Sequence, residues 1–380
     1  MTHQGLRDKL LRLMTEQGSV RSPQWRDAVA VTPRHEFLRG GYFRWVEGSS
    51  PTAWEPVMPD DPHWLTGCYS DVSLVTQIAG TIVPGEIRGQ ILRQPTSSST
   101  FPGLVVRMLE DLEVVDGARV LEVGTGTGYS TALLCHRLGD ERVTSVEVDA
   151  GVSARAAAAL AQVGHAPHLV VGDGLAGHKD GAPYDRIIAT CGVLTIPQEW
   201  IAQVGPGGTI LATVCGWLYS SELARLTVRE DGSASGHLLG GQISFMLARP
   251  HLPPPLGMLP DTGAGVERAT SVGADVLDDW TARFVAQIAA PRAQRVTLDA
   301  NEHLLLDVEA GTWALVYREG QAWRVRQGGP ARLWDDVESL IARWREAGAP
   351  DLDRFGLTIS PDGEHRYWLD TPDCPLSLDG

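Results

Sequence analysis

Arg119-Val120-Leu121-Glu122-Val123-Gly124-Thr125-Gly126-Thr127-Gly128-Tyr129-Ser130 decides the fold of this chain. An apolar strand runs into three glycines at alternate positions, and a helix-compatible stretch from Ser130 to Arg137 follows. Glycine lets a backbone turn tightly and approach a ligand with no Cβ in the way. The next apolar run, Val143-Thr144-Ser145-Val146-Glu147, ends in an acid. It lies about twenty residues on, where a carboxylate meets ribose hydroxyls in nucleotide-type folds. The spacing is G-x-G-x-G, not the G-x-G-x-x-G of dinucleotide binders, and Glu122 immediately precedes the turn. The reading is therefore S-adenosylmethionine rather than NAD, with S-adenosylhomocysteine as product.

Further strands follow in order. Leu169-Val170-Val171 ends in Gly172-Asp173-Gly174, Tyr184 to Thr190 is a fourth strand, and Gly205-Pro206-Gly207-Gly208 turns into a fifth at Thr209 to Val214. Helical patterns at Gly151 to Val163 and Gln198 to Val204 lie between them. Alternation of this kind implies right-handed crossovers and a mostly parallel sheet, with ligands at the carboxyl ends of the strands. The expected fold class is α/β, a Rossmann-like methyltransferase sheet with an N-terminal helical and loop extension and a C-terminal α+β domain. The cofactor candidates at the strand ends are Glu122, Gly124, Thr125, Gly126, Gly128, Tyr129, Glu147, Val148, Asp173, Gly174 and Thr190.

Composition bounds the partners. The 380 residues are 43% hydrophobic and 21% charged, which is a folded protein of two or three domains. A net charge of -15 argues against nucleic acid or an anionic membrane surface as the main partner. No apolar run reaches the roughly eighteen residues of a membrane span. The start, Met1-Thr2-His3-Gln4-Gly5, lacks a signal peptide's apolar core, and the five scattered cysteines fit a reduced cytoplasm. His165, His168 and His178 cluster in sequence but lack a cysteine or paired carboxylate at ligand spacing, so no metal is expected.

The expected divisions are residues 1–100, N-terminal helices and cleft loops; 101–250, the methyltransferase sheet; and 265–380, an α+β domain after a proline-rich linker. Residues 40–67 read as an irregular Pro/Gly/Trp-rich insertion, and 80–93 as a hairpin or a second insertion. Trp217-Leu218-Tyr219 and Gln242 to Leu247 read as strands. The serines and threonines of Thr96 to Thr100 lead into a helix from Gly103 to Leu112 and are good N-cap candidates.

Taken together, the pieces resemble the protein-L-isoaspartate O-methyltransferases over roughly residues 5–250. Pro33-Arg34-His35-Glu36-Phe37 is similar to the family's P-R-H-x-F element and Tyr69-Ser70-Asp71 to its Y-x-D. Ser98-Ser99-Thr100-Phe101-Pro102 corresponds to the loop that carries a serine two residues before a proline. The glycine turn, Gly172-Asp173-Gly174 and Pro183 to Ile187 complete the series. The resemblance implies that Ser99 and Thr100 orient a substrate carboxylate, with Ser98, Tyr69, Asp71 and His35 around the substrate. Helix capping by the hydroxyls, a packed histidine at 35, and a loop-anchoring role for Tyr69 and Asp71 are the structural alternatives.

Three departures stand out. Thr100 replaces the loop serine, insertions flank Tyr69 to Asp71, and the chain runs on past the linker. They are similar to the divergent subfamily found with ribosomally made, modified peptides, including partners of ATP-grasp and lanthipeptide pathways. That resemblance implies methylation of an aspartate in a macrocyclised precursor peptide. The ester then closes to a succinimide, which persists or hydrolyses to isoaspartate. General repair of damaged proteins and a non-catalytic peptide-binding scaffold are the competing readings. Most of the twelve tryptophans are expected to pack cores and seams; those of the C-terminal domain, Trp313, Trp323, Trp334, Trp344 and Trp368, are expected to offer aromatic anchors for the peptide, with a stabilising lid or a dimer surface as the alternative.

Overall fold

Strand Val120–Val123 is buried at every position, as a strand flanked on both sides in a parallel sheet must be. It pairs in parallel with Val143–Glu147 on one side and Tyr184–Val193 on the other, and Val143–Glu147 pairs in parallel with His168–Val171. The structure is a computed structural model and describes residues 2–378, so Asp379 and Gly380 of the expected C-terminal domain lie outside it. The chain divides into two compact units. Residues 1–190 and 202–211 form the first, and 191–201 with 212–380 the second. The composition change at 250–265 falls inside the second unit.

In the first unit the parallel strands alternate with helices Tyr129–Leu138 and Ala150–Gln162. The first starts at Gly128, whose φ of +89° is the left-handed conformation glycine adopts freely. Asp149 caps the second, its Oδ1 accepting from the Gly151 and Val152 N–H groups. This is a mixed α/β methyltransferase fold, as the strand order led us to expect.

The expected insertion at 40–67 is largely ordered. Tyr42–Trp45 and Trp54–Val57 form an antiparallel pair, and Trp64–Cys68 is a short helix. With Leu74–Ile78 and Pro95–Ser99 the pair makes a four-stranded sheet, ordered 54–57, 42–45, 74–78, 95–99. Phe43, Val75 and Ile78 form its buried core, against which Trp54, Ile82, Ile87 and Ile91 pack. Residues 80–93 join the sheet through the isolated bridges Ile78↔Ile82 and Trp54↔Ile91 and hold a short 3-10 turn, Pro84–Glu86. The hydroxyl run is a strand here, not a loop. Its partner, Leu74–Ile78, is remote in sequence.

The second unit continues from the end of strand Val204–Cys215 through Ser221–Val228, Ala234–Leu238, Phe355–Ile359 and His365–Leu369, adjacent in that order. It also holds a five-stranded sheet, ordered 266–270, 322–328, 312–319, 302–307, 294–299, and helices Trp280–Ala289 and Leu333–Glu346. The expected strands at 217–219 and 242–247 are absent. Tyr219 and Gln242 have φ of +62° and +54°, which a strand does not tolerate. Of the five expected tryptophan anchors, Trp313, Trp334, Trp344 and Trp368 are buried in this unit. The indoles of Trp334 and Trp368 bond Thr270 and Thr358, and that of Trp344 bonds the Pro350 carbonyl. They are core residues, and only Trp323 is partly exposed.

Two backbone N–H groups just past strand Tyr184–Val193 donate to histidines of the same unit, Leu194 to His251 Nδ1 at 3.2 Å and Ile196 to His365 Nε2 at 2.9 Å. The other His365 nitrogen, Nδ1, lies 3.0 Å from the Gly363 carbonyl, so the neutral ring donates there and accepts from Ile196. Burial holds the His365 pKa below its ordinary 6.5. The unfolded chain therefore binds the proton more readily, and the stabilisation is present above pH 6.5 and lost as pH falls through the folded value. Thermal melts between neutral pH and about pH 5 should fall less steeply for His365→Gln than for the wild type. Parallel curves would remove His365 from the acid response.

Candidate cofactor and substrate site

The glycine turn of the first unit is held from three sides. Gly124, Gly126 and Gly128 have φ of +96°, +55° and +89°. Gly124 N–H donates to the Val146 carbonyl at 2.8 Å. Thr190 Oγ1 donates to the carbonyls of Gly124 at 2.5 Å and Val123 at 3.2 Å. A Cβ on Gly124 would stand 2.7 Å from that same oxygen. Glu147 Oε2 accepts from Gly126 N–H at 3.0 Å, and its Oε1 accepts from Asp149 N–H at 3.1 Å. The Glu147 carboxylate thus lies against the glycine turn at the carboxyl end of its strand. Carboxylate oxygens accept more than one hydrogen bond each, which suits a diol.

Two expected cofactor side chains point elsewhere. Glu122 is fully buried and accepts from Ser130 Oγ at 2.5 Å, Thr131 Oγ1 at 2.5 Å and Ser145 Oγ at 2.7 Å. Burial pushes its pKa up, and the three hydroxyls oppose that shift. Thr125 Oγ1 joins the same cluster, 2.7 Å from Ser145 Oγ. Both side chains brace the turn from inside, and their contacts are supplied by Ser130, Thr131 and Ser145, none of which the sequence reading singled out. Tyr129 is also buried, its phenol pushed up to about 12 by desolvation. Val148 and Asp173 are exposed at the ends of the neighbouring strands. Asp173 Oδ1 accepts from Leu175 N–H at 3.0 Å. A Cβ on Gly174 would stand 2.4 Å from Val123 Cγ1, so only glycine lets this turn pack against the central strand.

The substrate candidates also meet in this unit. The Ser98 carbonyl lies 3.5 Å from the position of a Cβ on Gly126, which puts the hydroxyl strand beside the glycine turn. Capping does not explain these hydroxyls. Helix Pro102–Asp111 has Phe101 at its N-cap and no side-chain capping bond there. Asp71 serves that end instead, its Oδ1 accepting from Gly103 N–H at 2.7 Å. Tyr69 is buried, with its hydroxyl 2.7 Å from His35 Nδ1. His35 Nε2 lies 3.2 Å from Glu36 Oε1, and burial lowers the imidazole pKa. Asp71, Tyr69 and His35 therefore order the wall around the hydroxyl strand.

Arg34, inside the quoted P-R-H element, carries more of this architecture than any residue singled out from sequence. It is 1% exposed, and its two terminal nitrogens donate to Cys68, Ser70, Val72, Ser99 and Thr100 carbonyls. Its place directly after Pro33 in that element is the one sequence signal for it.

His165 leaves His168 and His178, whose rings meet edge to face with centroids 4.9 Å apart. It joins Asp140 and Cys135 instead, with donor atoms all within 4.8 Å. His165 Nδ1 is 2.8 Å from Asp140 Oδ1, and Ala166 N–H donates to Oδ2 at 2.6 Å. Desolvation pushes the Cys135 thiol up. The group ties a helix end to the segment before strand His168–Val171.

The family model for protein-L-isoaspartate(D-aspartate) O-methyltransferase matches residues 86–244. A protein-L-isoaspartate O-methyltransferase of Flavobacterium psychrophilum is 30% identical over 230 residues, 60% of this chain and 87% of that protein. The chain belongs to the protein-L-isoaspartate O-methyltransferase family. Its members are S-adenosylmethionine-dependent carboxyl O-methyltransferases. A relative of that name from Anaeromyxobacter dehalogenans strain 2CP-1 is 43% identical over 130 residues, 34% of this chain and 61% of the relative. A solved structure titled protein-L-isoaspartate O-methyltransferase aligns over 96% of this chain and 100% of its own, with 20% identity and a TM-score of 0.56. The alignment runs past residue 250, where the sequence reading placed a departure from the family. Among the described residues no helix is long and apolar enough to cross a membrane.

Proposed function

We propose that this chain transfers the methyl group of S-adenosylmethionine to a side-chain or isoaspartyl carboxylate of a peptide or protein. The observation that carries the reading is the approach of the Ser98–Thr100 hydroxyl strand to the glycine turn that Glu147 and Thr190 brace. Gly124, Gly126 and Glu147 would hold the methionine and ribose parts of the cofactor, with Val148, Asp173 and Gly174 towards the adenine. The cofactor supplies an electrophilic methyl on a sulfonium that leaves readily. A carboxylate is already ionised near neutral pH, so the protein needs no general base. Its work is to align oxygen with methyl and to exclude water. Ser99 and Thr100 would hold the acceptor carboxylate, while Tyr69 and His35 keep that wall ordered.

Isoaspartyl residues of damaged proteins are the acceptor the relatives' names favour. An ordinary aspartate in a macrocyclic precursor peptide is the second reading, supported by Thr100 at the serine position and by the ordered sheet of the 40–99 segment, whose edge strand carries the hydroxyls. In that case the next backbone nitrogen attacks the methyl ester, methoxide leaves with a proton, and a succinimide forms. The test is transfer of labelled methyl to a linear isoaspartyl peptide, its aspartyl counterpart and a side-chain-cyclised aspartyl peptide. Isoaspartyl-only transfer supports the first reading and cyclic-aspartyl-only transfer the second. No transfer to any of them sinks both. Ser99→Ala with Thr100→Ala should lower kcat about 100-fold with cofactor affinity unchanged, the pattern of lost alignment. Unchanged kcat would remove the hydroxyls from the mechanism.

A further inference from the structure

We infer that Arg34 is a positioning residue for methyl transfer, acting through the hydroxyl strand; the inference rests on the reading above. Its guanidinium occupies the junction of three segments. Nη1 donates to the carbonyls of Cys68 at 3.0 Å and Ser70 at 2.9 Å. Nη2 donates to the carbonyls of Val72 at 3.1 Å, Ser99 at 3.3 Å and Thr100 at 3.2 Å, and reaches Ser99 Oγ at 3.4 Å. The same group lies over the ring of Tyr129, the first residue of the helix after the glycine turn, 6.0 Å from its centroid. One planar fork thus fixes the turn carrying Tyr69 and Asp71, the strand carrying Ser99 and Thr100, and the start of the helix after the cofactor turn.

Two features exceed what fold stability asks. The guanidinium is buried and yet forms no ion pair among the described residues, and its Nε has no hydrogen-bond partner. Burial lowers its pKa, but a guanidinium stays protonated at any working pH. A desolvated cation held by carbonyls, a hydroxyl and a ring face, with no carboxylate partner, is an expensive way to close a junction. Its return is geometric, because donors held in one plane set several chain segments at once, which a lysine's point charge does not do. It also leaves positive potential beneath the strand that faces an anionic acceptor. Displacement of that strand by about an ångström is enough to cost roughly 100-fold in rate.

The experiment compares wild type, Arg34→Lys and Arg34→Gln, with rates normalised to cofactor-binding sites counted by calorimetry. This normalisation removes misfolded molecules, so a purely structural role would leave the rate per site unmoved. We expect both variants to bind S-adenosylmethionine with the wild-type Kd and to lose about 100-fold in kcat, with little change in peptide KM. Lysine should not rescue, because the fork and not the charge alone sets the strand. Adding Ser99→Ala to Arg34→Lys should cost less than the product of the two separate losses, because one acts through the other. Wild-type kcat per site in either variant, multiplicative losses in the double variant, or failure of both variants to bind cofactor would each overturn the inference. Absence of methyl transfer by the wild type to every peptide named above would instead overturn the proposed function, so the two failures are distinct.

Discussion

Gly124→Ala is expected to weaken S-adenosylmethionine binding about 100-fold. The residue sits at φ +96°, where an L side chain is strained, and its new Cβ would stand 2.7 Å from Thr190 Oγ1. That hydroxyl cannot withdraw without breaking its bonds to the Gly124 and Val123 carbonyls. Left-handed backbone at a non-glycine residue costs about 1–2 kcal/mol. Each hydrogen bond lost adds about 1 kcal/mol. Relaxation would move the turn away from Glu147, whose bond to Gly126 N–H keeps it in place. A total of about 3 kcal/mol taken from the binding-competent geometry weakens affinity roughly 100-fold. Gly126→Val should act by another route. Its Cβ would meet the Ser98 carbonyl at 3.5 Å, an ordinary contact, but a β-branched residue is strained at φ +55° and its methyl groups would stand in the cofactor's path. Calorimetry on variants with native circular dichroism measures both. A Gly124→Ala affinity within experimental error of the wild type would show that the turn is not the cofactor cradle.

The glycine turn and the sheet that carries it were legible because their signals are local. Three glycines in five residues, an acid at the end of the next strand, and regular strand–helix alternation are all short-range patterns. Glu122 and Glu147 looked equivalent in that pattern and are not. What turns Glu122 inward is a set of hydroxyls from the following helix and the adjacent strand, and only the folded register brings Ser145 opposite it. The hydroxyl strand was misread for a related reason. A Ser/Thr run before a proline and a helical pattern has good capping chemistry, and its actual partner lies some twenty residues upstream across an irregular stretch. Arg34 was quoted within a motif but given no role, since its acceptors are backbone carbonyls, which carry no residue identity. Tryptophan count signalled large buried area but not its location. The positive φ values at Tyr219 and Gln242 leave no trace in an apolar run.

Ending the chain after Pro255 is expected to destroy the second unit rather than trim it. Sequence composition suggested a detachable C-terminal domain behind a proline-rich linker, which would leave a folded, cofactor-binding remainder. The strand register argues otherwise. Ala234, Ser235, Gly236 and His237 pair with Ile359, Thr358, Leu357 and Gly356, so the cut would strip the neighbour from strand Ala234–Leu238. It would also remove the buried side chains of Phe284, Trp334, Leu340, Phe355 and Leu357. Each is worth about 2–3 kcal/mol of burial, and five together match the whole 5–15 kcal/mol by which a typical domain is stable. Strand Ala234–Leu238 would be left as an unpaired sheet edge beside Ser221–Val228, of the kind that pairs with other chains. The expected result is insoluble or aggregated protein, seen in size-exclusion chromatography, with fast amide exchange across 221–238 in whatever stays soluble. A monomeric truncated chain with protected amides over 221–238 would show that the remainder folds alone and that the strand pairing adds little.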